Sequence, residues 1–454
     1  MTSTPAPTAV AAPGNAARVL RLVHEAGPIT RAEVTRRTGL NRSTTLALVG
    51  ELVDLGLLRE ERPAAGSPST GVGRPSPLVR AATDVVAAAV TVEIDAVSVA
   101  LVALDGTVRA RLVEPQDRPP TATEAVATVA ALLDRVRRPQ DGEADGAASS
   151  RSLRLVGIGV AVPGTVRVED GTVQYAPHLG WHDEPLAAPL ADRTGLPVRA
   201  ANDANLGAWA ERLGGSGRGV DDLVYLNSGA RGIGGGVITG GRPLSGADGY
   251  AGELGHTFVA ANGIRCHCGA VGCLETEASR DVLAAAAGTR PDDLDALAAA
   301  LAEGRPEVER VVERQVAALA TALRNAIHTV NPEVVVLGGF LGVLLDHVGD
   351  RIVDAVRAQS MQGMTDRLRV VPAALGADVL VHGAAEVAFR DLLRDPARIT
   401  HAVAVTLPAA TLPGQTTAAG TETTAAETDT GTTAAETETE TEHDRPAVEE
   451  ARTT

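Results

Sequence analysis

Apolar side chains recur at helical spacing in the first part of the chain. In residues 15–25 they share one face of a predicted helix, which ends at Gly27. A second helix is predicted to begin at Thr30, because Thr30 and Glu33 form a capping box in which each side chain accepts a hydrogen bond from a free backbone amide. Gly39 is predicted to end this second helix.

A third helix is predicted from Arg42 to about Asp54, with Asn41 as its N-cap. Four of its side chains are predicted to pack inward: Leu46, Val49, Leu52 and Val53. Four others are predicted to point away from that core: Arg42, Ser43, Thr44 and Leu48. Two helices joined by a short turn have the spacing of a helix-turn-helix, so residues 15–80 are interpreted as a winged helix-turn-helix domain with a linker.

The segment from Arg59 to Arg80 contains four Pro and three Gly, which is typical of a wing followed by a linker. Beyond it, β-type runs alternate with Ala- and Leu-rich helical stretches. The runs are Val85 to Val92, Ser98 to Leu104, Leu155 to Val162, Leu223 to Leu226 and Val334 to Leu337, and the helical stretches include Glu124 to Val136 and Glu307 to Val330. This alternation predicts an α/β body over residues 81–400.

Both ends of the chain have a composition that opposes folding. Residues 1–14 are rich in Thr, Ala and Pro, and residues 401–454 are rich in Thr, Ala and Glu. Such segments bury too little apolar surface to offset the entropy lost on ordering. We therefore predict a disordered N-terminus over residues 1–14 and a disordered acidic tail over residues 401–454.

Composition also bears on the compartment. The longest apolar run, Val334 to Leu345, has 12 residues and is too short to cross a bilayer. Residues 1–14 lack the basic start and apolar run of a signal peptide. We expect a cytoplasmic protein without a membrane partner, in a reducing environment that keeps thiols free.

Charge is divided unevenly along the chain, whose net charge is −16. Residues 1–80 hold ten Arg against six acidic residues, a net charge of +4, whereas residues 413–454 hold two Arg against ten acidic residues, a net charge of −8. Only the front of the chain therefore suits a polyanion such as operator DNA.

DNA recognition by a helix-turn-helix uses small donors that bind phosphate and longer side chains that reach base edges. Seven residues are predicted DNA contacts on this basis: Arg36, Arg37, Arg42, Ser43, Thr44, Thr45 and Arg74. The last lies in the predicted wing, from which it would reach the neighbouring minor groove. The alternative is that this N-terminal unit mediates association and does not bind DNA.

All three cysteines fall within eight positions, and a histidine precedes them. Cys266, Cys268 and Cys273 follow His256, a set of three thiols and one imidazole that is typical of a Zn²⁺ site. The alternative is a loop with buried reduced thiols or a disulfide. His267, between two of these predicted ligands, is expected to face solvent.

Around the cysteines the sequence resembles the ROK family (repressor, open reading frame, kinase). The similarity covers roughly residues 15–395. Its motifs are Gly252-Glu253-Leu254-Gly255-His256, Cys266-x-Cys268-Gly-x-x-Gly272-Cys273-Leu274-Glu275, Val162-Pro163-Gly164, Ala176-Pro177-His178-Leu179-Gly180-Trp181, Asn202-Asp203-Ala204-Asn205 and Gly232-Ile233-Gly234-Gly235-Gly236. The N-terminal unit and Gly73-Arg74-Pro75-Ser76 resemble the regulator branch, the xylose- and N-acetylglucosamine-type repressors.

This resemblance implies an actin-like, ribonuclease-H-like body of two α/β lobes with a sugar in the cleft. Carried over by motif, the sugar-binding residues are Asn202, Asp203, Glu253, His256 and Glu275. Carboxylates and amides suit this role because they form paired hydrogen bonds with neighbouring hydroxyls. Asp203 stands where kinases of the family keep their general base. Considered alone, Asn202 and Asp203 are equally consistent with a turn or a helix cap.

The phosphate-binding segments depart from the kinase pattern. The D-x-G-G-T turn of the family's kinases corresponds here to Glu93-Ile94-Asp95-Ala96-Val97, and the second segment reads Gly229-Ala230-Arg231-Gly232. Phosphoryl transfer needs preorganised donors around the phosphates, and an added acid would repel them. We therefore interpret Asp203 as a vestigial base position in a protein that is not an enzyme.

The leading hypothesis is a sugar-responsive transcriptional regulator, most simply a repressor, that binds operator DNA and a sugar or sugar phosphate. It is expected to form a homodimer or a dimer of dimers, because two half-sites multiply discrimination. One alternative is an ATP-dependent sugar kinase with an appended DNA-binding domain. Another is a zinc-stabilised scaffold that binds neither sugar nor nucleotide.

Overall fold

The computed structural model describes residues 14–61, 76–137, 151–229 and 232–407. The helices are α1 Asn15–Ala26, α2 Arg31–Thr38, α3 Arg42–Asp54, α4 Ala122–Arg137, α5 Ala187–Thr194, α6 Asp203–Gly214, α7 Leu274–Glu277, α8 Arg280–Ala287, α9 Leu294–Ala302, α10 Pro306–Val330, α11 Phe340–Gln359 and α12 Val379–Arg394. Three short 3-10 helices are Leu254–His256, Gly376–Asp378 and Pro396–His401.

The strands fall into four sheets. They are β1 Ile29–Thr30, β2 Leu58–Glu61, β3 Leu78–Ala81, β4 Val85–Val92, β5 Ala96–Ala103, β6 Val108–Pro115, β7 Arg151–Val162, β8 Thr165–Val166, β9 Thr172–Ala176, β10 Trp181–Pro185, β11 Val198–Asn202, β12 Leu223–Gly229, β13 Gly232–Thr239, β14 Arg242–Pro243, β15 Val334–Gly339, β16 Arg369–Pro372 and β17 Val403–Leu407.

The N-terminal domain consists of three helices and a small sheet of order β1-β3-β2. Thr30 accepts a hydrogen bond from the Glu33 amide at 3.2 Å, and Asn41 accepts one from the Thr44 amide at 2.8 Å, so the predicted caps form. Val19, Leu20 and Val23 of α1 are fully buried. The predicted winged helix-turn-helix is confirmed, with β2 and β3 as the antiparallel strands of the wing.

Helix α3 is rotated relative to the prediction from its apolar pattern. Leu46, predicted to pack inward, is 54% exposed, whereas Thr45 is 1% exposed. Leu48, predicted to point away, packs against the core formed by Val49 and Leu52. The Thr45 hydroxyl donates to the Asn41 carbonyl at 3.0 Å, which satisfies its hydrogen-bonding capacity inside the domain.

The first lobe of the body is built on a sheet of order β11-β7-β4-β5-β6, with β17 beside β7. One face of the sheet packs on α4 and α5, and the other face packs on α12. Gly159 of β7 permits this close packing, because a Cβ there would lie 1.8 Å from the Ala384 carbonyl oxygen of α12.

The second lobe is built on a mixed sheet of order β14-β13-β12-β15-β16. Helices α7 to α11 cover one face, and α6 covers the other. The fourth sheet is small, has the order β10-β9-β8 and follows the end of β7. The two α/β lobes confirm the predicted two-lobed body.

The DNA-binding domain shares a hydrophobic core with α12 and the first lobe. On α1, His24 donates through Nδ1 to the Leu104 carbonyl at 2.7 Å, and its Nε2 lies 2.9 Å from the Glu386 carboxylate of α12. Burial alone lowers the pKa of His24, but the Glu386 charge and hydrogen bond outweigh it and raise the pKa to about 9. An ion pair therefore joins α1 to α12.

Two further contacts hold the domain to the body. Arg154 of β7 donates to the carbonyls of Leu55 and Gly56 just after α3, at 2.9 and 2.5 Å. On α6, Arg212 lies 3.8 Å from Glu25 of α1. Both contacts reach the helix-turn-helix domain from elements that belong to the body.

The predicted disordered segments at the two ends of the chain are only partly covered by the described residues. The tail predicted to be disordered from residue 401 is wrong at its start, because residues 403–407 form β17 and pair antiparallel with β7, which satisfies their backbone groups. The predicted disordered residues 1–13, the wing tip with Arg74 and residues 408–454 lie outside the described residues. Among the helices of the described ranges, none is both long and apolar enough to span a bilayer.

Candidate functional site in the cleft

Strand β11 ends at Asn202, and α6 begins at the next residue, so two polar side chains lie at the junction of the lobes. Asn202 caps α6: its carboxamide oxygen accepts from the Asn205 amide at 2.9 Å, and its nitrogen donates to the Gly164 carbonyl at 3.1 Å. The helix-cap alternative therefore describes what this side chain does here. Capping leaves one amide hydrogen and one lone pair for a ligand.

Asp203 occupies the first turn of α6, where its carboxylate accepts a hydrogen bond from the Ala204 amide at 2.7 Å. Burial raises the pKa of Asp203 to about 7, and the nearby negative charges of Glu253 and Glu93 add to the rise. Near neutral pH the protonated and ionised forms of Asp203 are therefore both populated. The protonated form can donate a hydrogen bond to a ligand hydroxyl, and the ionised form can accept one.

The loop after β14 carries Glu253 and His256 on a 3-10 turn. Its position depends on Gly255, where a Cβ would lie 1.8 Å from the Ile233 carbonyl oxygen of β13. Loss of hydration raises the pKa of Glu253, and the Glu275 charge contributes, opposed by His256. Asp203, Glu253 and Glu275 are thus neighbouring acids, and the His256 imidazole lies 3.3 Å from Glu275.

Four donor atoms that suit a metal ion converge beside this group. One ligand atom from each of His256, Cys266, Cys268 and Cys273 lies within 4.8 Å of all the others. The Cys268 and Cys273 sulfurs are 3.7 Å apart, and the Cys266 sulfur is 3.6 Å from His256 Nδ1. A tetrahedral Zn²⁺ with Zn–S bonds of about 2.3 Å places its sulfur ligands about 3.8 Å apart, so the donor set fits that ion.

The geometry does not fit the disulfide alternative. The cysteines are free, and a disulfide requires a sulfur separation of about 2.05 Å. The Cys266 sulfur lies 2.8 Å from a Glu275 oxygen. Burial and this hydrogen bond raise the pKa of the Cys266 thiol, so a nearby cation is needed to stabilise its thiolate.

His267 was expected to face solvent, and its side chain is 38% exposed. It nevertheless belongs to a second group of possible ligands, with His256 and Glu275, and its Nδ1 lies 3.2 Å from the Glu275 carboxylate. The rings of His178, His267 and His256 follow one another at centroid distances of 5.7 and 5.3 Å. Sequence spacing gave no signal for this row, because the loop fold brings His178 into it.

A cavity of about 530 Å³ opens on the other side of these residues. It is lined by Ile94, His178, Ser228, Gly229, Gly232, Ile233, Glu275, Ala278, Ser279, Arg280, Asp281 and Pro291. The turn between β4 and β5 borders it, and the Glu93 amide donates to the Ala96 carbonyl at 2.8 Å. Burial and the charge of Asp95 raise the pKa of Glu93, so this turn carries two neighbouring acids.

The predicted DNA contacts differ in how exposed they are. Arg42 and Ser43 are exposed at the start of α3, and Thr44 is half-buried beside them. Arg36 and Arg37 are exposed on α2, although Arg36 pairs with Glu33. Arg74 lies outside the described residues.

Thr45 is a wrong prediction. It is buried, and its hydroxyl is bound to the Asn41 carbonyl, so it cannot reach a phosphate without unfolding the first turn of α3.

Comparison with known proteins agrees with this architecture. Residues 88–390 match the ROK family, and residues 13–66 match the MarR family. The chain is 36% identical over 253 residues to a glucokinase of Thermotoga maritima, which covers 51% of this chain and 78% of the glucokinase. It is 29% identical over 270 residues to the xylose repressor of Bacillus subtilis (strain 168), which covers 58% of this chain and 65% of the repressor.

A solved structure extends the similarity to the N-terminal domain. The crystal structure of a ROK family transcriptional regulator, described as a homolog of the E. coli MLC protein, superposes with a TM-score of 0.69 at 26% identity. The match covers 85% of this chain and 98% of that chain. With its helix-turn-helix domain the protein resembles the regulators, whereas the similarity to the Thermotoga maritima glucokinase spans 51% of the chain. The chain therefore belongs to the ROK family, within which it is a transcriptional regulator.

Proposed function

We propose that the protein is a cytoplasmic repressor whose operator binding is controlled by a sugar or sugar phosphate in the cleft. The observation that carries the proposal is the combination of an exposed start of α3 with a cleft rich in acids and amides. Asn202, Asp203, Glu253, His256 and Glu275 are the proposed sugar ligands. The phosphate-binding turn is acidic, which supports sensing over phosphorylation.

Zn²⁺ is proposed to bind His256, Cys266, Cys268 and Cys273. The ion would supply the charge that keeps these thiols ionised and would fix the loop that carries Glu253. His256 presents Nδ1 to this donor set, which leaves Nε2 to donate to a sugar hydroxyl. A fixed loop loses less conformational entropy when the sugar binds.

Operator binding is proposed to use Arg42, Ser43 and Thr44 at the start of α3, with Arg36 and Arg37 on phosphates and Arg74 from the wing. A homodimer or a dimer of dimers would present two copies of α3 to two half-sites. A sugar can change operator affinity only if it binds the DNA-competent and incompetent arrangements with different affinity.

The cleft is tested with a sugar panel that includes xylose, glucose and N-acetylhexosamines, with and without phosphate. One sugar should raise the melting temperature of the full-length protein by mass action, and Glu253→Gln should remove most of that rise. Asp248→Asn, which changes an exposed acid of the same loop, is the matched control. Absence of stabilisation by any of these sugars would argue for the scaffold alternative.

The kinase alternative is tested by a coupled assay with ATP and the same sugars. We expect no turnover above background. Turnover that disappears in Asp203→Asn would overturn the proposal, because that result requires a working base and a bound nucleotide.

A further inference from the structure

A second cavity, of about 620 Å³, lies where the DNA-binding domain meets both lobes of the body. Arg21, His24 and Glu25 of α1 form one wall. The first lobe contributes residues 166, 168–171 and 198–202 and residues of the last turns of α12, and the second lobe contributes residues 241–245. The cavity therefore touches all three parts of the molecule and is separate from the cavity beside His178 and Glu275.

The acids around this cavity are largely neutralised. Glu386 pairs with His24, Glu25 lies 3.8 Å from Arg212, and Asp170 pairs with Arg167. Glu169 is the remaining acid of the lining and has no ion pair within the described ranges.

The arginines around it are not neutralised to the same degree. Arg199 pairs with Asp391 at 2.7 Å. Four other lining arginines have no ion-pair partner among the residues that the structure describes: Arg21, Arg242, Arg390 and Arg394. Four unpaired cations face one unpaired acid, so the lining has an excess of positive charge.

The positive charge around the cavity affects the pKa of Arg390 on α12. Partial burial lowers its pKa, and repulsion from Arg199 and Arg394 lowers it further, against attraction from Asp391. An anion placed among these guanidinium groups would relieve the repulsion and accept charge-assisted hydrogen bonds.

Part of the cavity lining is apolar. It includes Leu206, Trp209 and Leu213 of α6, Leu393 of α12 and Val166. An indole and aliphatic side chains favour an apolar or aromatic body of a ligand over a simple inorganic ion.

We propose that this cavity binds a compact organic anion, with one phosphate or carboxylate on an apolar body. The anion contacts Arg390 and Arg394, and the apolar body lies against Trp209. A ligand held there touches α1 and both lobes at once, so its binding restrains the DNA-binding domain relative to the body. Asn202, a proposed sugar ligand, also lines this cavity, but Glu253, His256 and Glu275 do not, so binding of the anion does not depend on those three residues. The effect of the anion on operator binding rests on the proposed function.

The test uses phenyl phosphate as the probe and isothermal titration calorimetry of the full-length protein. Saturable binding of one molecule per chain is expected, with inorganic phosphate and phenol each binding more weakly because each lacks half of the contacts. The double variant Arg390→Gln, Arg394→Gln should bind about tenfold more weakly or worse, since it loses two charge-assisted contacts. Arg394→Gln alone provides a milder second variant, and circular dichroism verifies folding of both.

Two controls locate the site. Arg310→Gln changes an exposed arginine of α10 and should bind the probe as the unmodified protein does. Glu253→Gln, which should lose the sugar response, should also keep the probe, so failure of the sugar proposal and failure of this one are distinguishable. Slower amide exchange in α1 on adding phenyl phosphate is the expected second readout.

The proposal is overturned by any of three results. These are no saturable binding of phenyl phosphate, equal binding by the arginine double variant, or loss of binding in Glu253→Gln, which would place the probe in the cleft.

Discussion

The Asp203 carboxyl group is held near half-ionisation at neutral pH by burial and by two neighbouring acids. Its native pKa of about 7 lies above the ordinary value of 3.8, so the native state binds more protons than the unfolded chain between these values. The contribution of Asp203 to stability therefore decreases as the pH rises from about 4 to about 7, with the loss complete above the native pKa.

We predict that Asp203→Asn stabilises the ligand-free protein at pH 8, where the ionised acid is costly, by ~2–4 kcal/mol. The amide keeps the ability to accept from the Ala204 amide. Urea unfolding at pH 5 and pH 8 measures the effect, and the advantage of the variant should shrink at pH 5. A constant advantage at both pH values would mean that ionisation of Asp203 is not its cause.

The metal donors can also be separated residue by residue. Cys273→Ala should reduce bound zinc from one equivalent per chain to about one tenth or less, because a structural site with three ligands binds the ion far more weakly. His267→Ala should retain the ion, since His267 is outside the set of three cysteines and one histidine. Inductively coupled plasma mass spectrometry of protein purified without chelator gives the zinc content of both variants. Loss of zinc in His267→Ala would instead favour a metal site formed by His256, His267 and Glu275.

For single residues, spacing in the sequence predicted the site where the residue type is rare, as with cysteine. It did not predict which of two common residues on a helix is buried. Three cysteines in eight positions indicated the donor set that the structure brings together. The sequence could not show which of Thr45 and Leu46 is buried. Adjacent residues differ by only about 100° around a helix, and the core accepts a hydroxyl group that is hydrogen-bonded.

Among the elements, the turn that follows α3 is bound by a side chain of the body. Arg154 donates to the carbonyls of Leu55 and Gly56, which follow the helix and lack partners within it. The same guanidinium pairs with Asp84 at 3.0 Å.

We predict that Arg154→Ala lowers the free energy of unfolding of the DNA-binding domain by about 1–3 kcal/mol, because it leaves two carbonyls without donors. Amide exchange in the last turn of α3 should become faster, as read by mass spectrometry. The matched control is Arg59→Ala, which also removes a partner of Asp84 but no bond to α3. Equal acceleration in both variants would assign the effect to Asp84.

The helices and central strands were predictable because their apolar runs are long; β4, for example, matches the predicted Val85 to Val92. Strand β17 was missed because five residues beside a Thr- and Ala-rich segment carry too weak a pattern, and its pairing partner β7 is about 250 residues away in sequence. Long-range pairing of this kind has no local signal.

For the whole molecule, the ion pair between His24 and Glu386 links the two domains. A histidine whose native pKa is raised from 6.5 to about 9 stabilises the native state fully below pH 6.5, and this contribution is lost as the pH rises through 9. The docked arrangement is therefore most favoured at neutral and lower pH.

We predict that Glu386→Gln costs about 2–3 kcal/mol of stability at pH 7 and much less at pH 10, where His24 is neutral in both proteins. Chemical unfolding at the two pH values measures the difference. Asp354→Asn, at an exposed pair on α11, should be near neutral at both. A cost for Glu386→Gln that is the same at pH 7 and pH 10 would contradict the assigned ion pair.

The sequence predicted a DNA-binding domain and a body but not how they meet. His24 and Glu386 are 362 positions apart, and neither belongs to a motif. The cavity lined by Arg390 and Trp209 has the same origin, since segments that are far apart in sequence come together to form it.

Helix α6 reaches from the cleft to the DNA-binding domain without a break. Asp203 lies in its first turn, and Arg212, which approaches Glu25 of α1, lies in its last. Twelve residues of helix span about 18 Å and behave as a stiff rod, so its two ends cannot be displaced independently. If a sugar bound beside Asp203 shifts the first turn of α6, the same helix shifts Arg212 at its other end, next to α1 of the N-terminal domain.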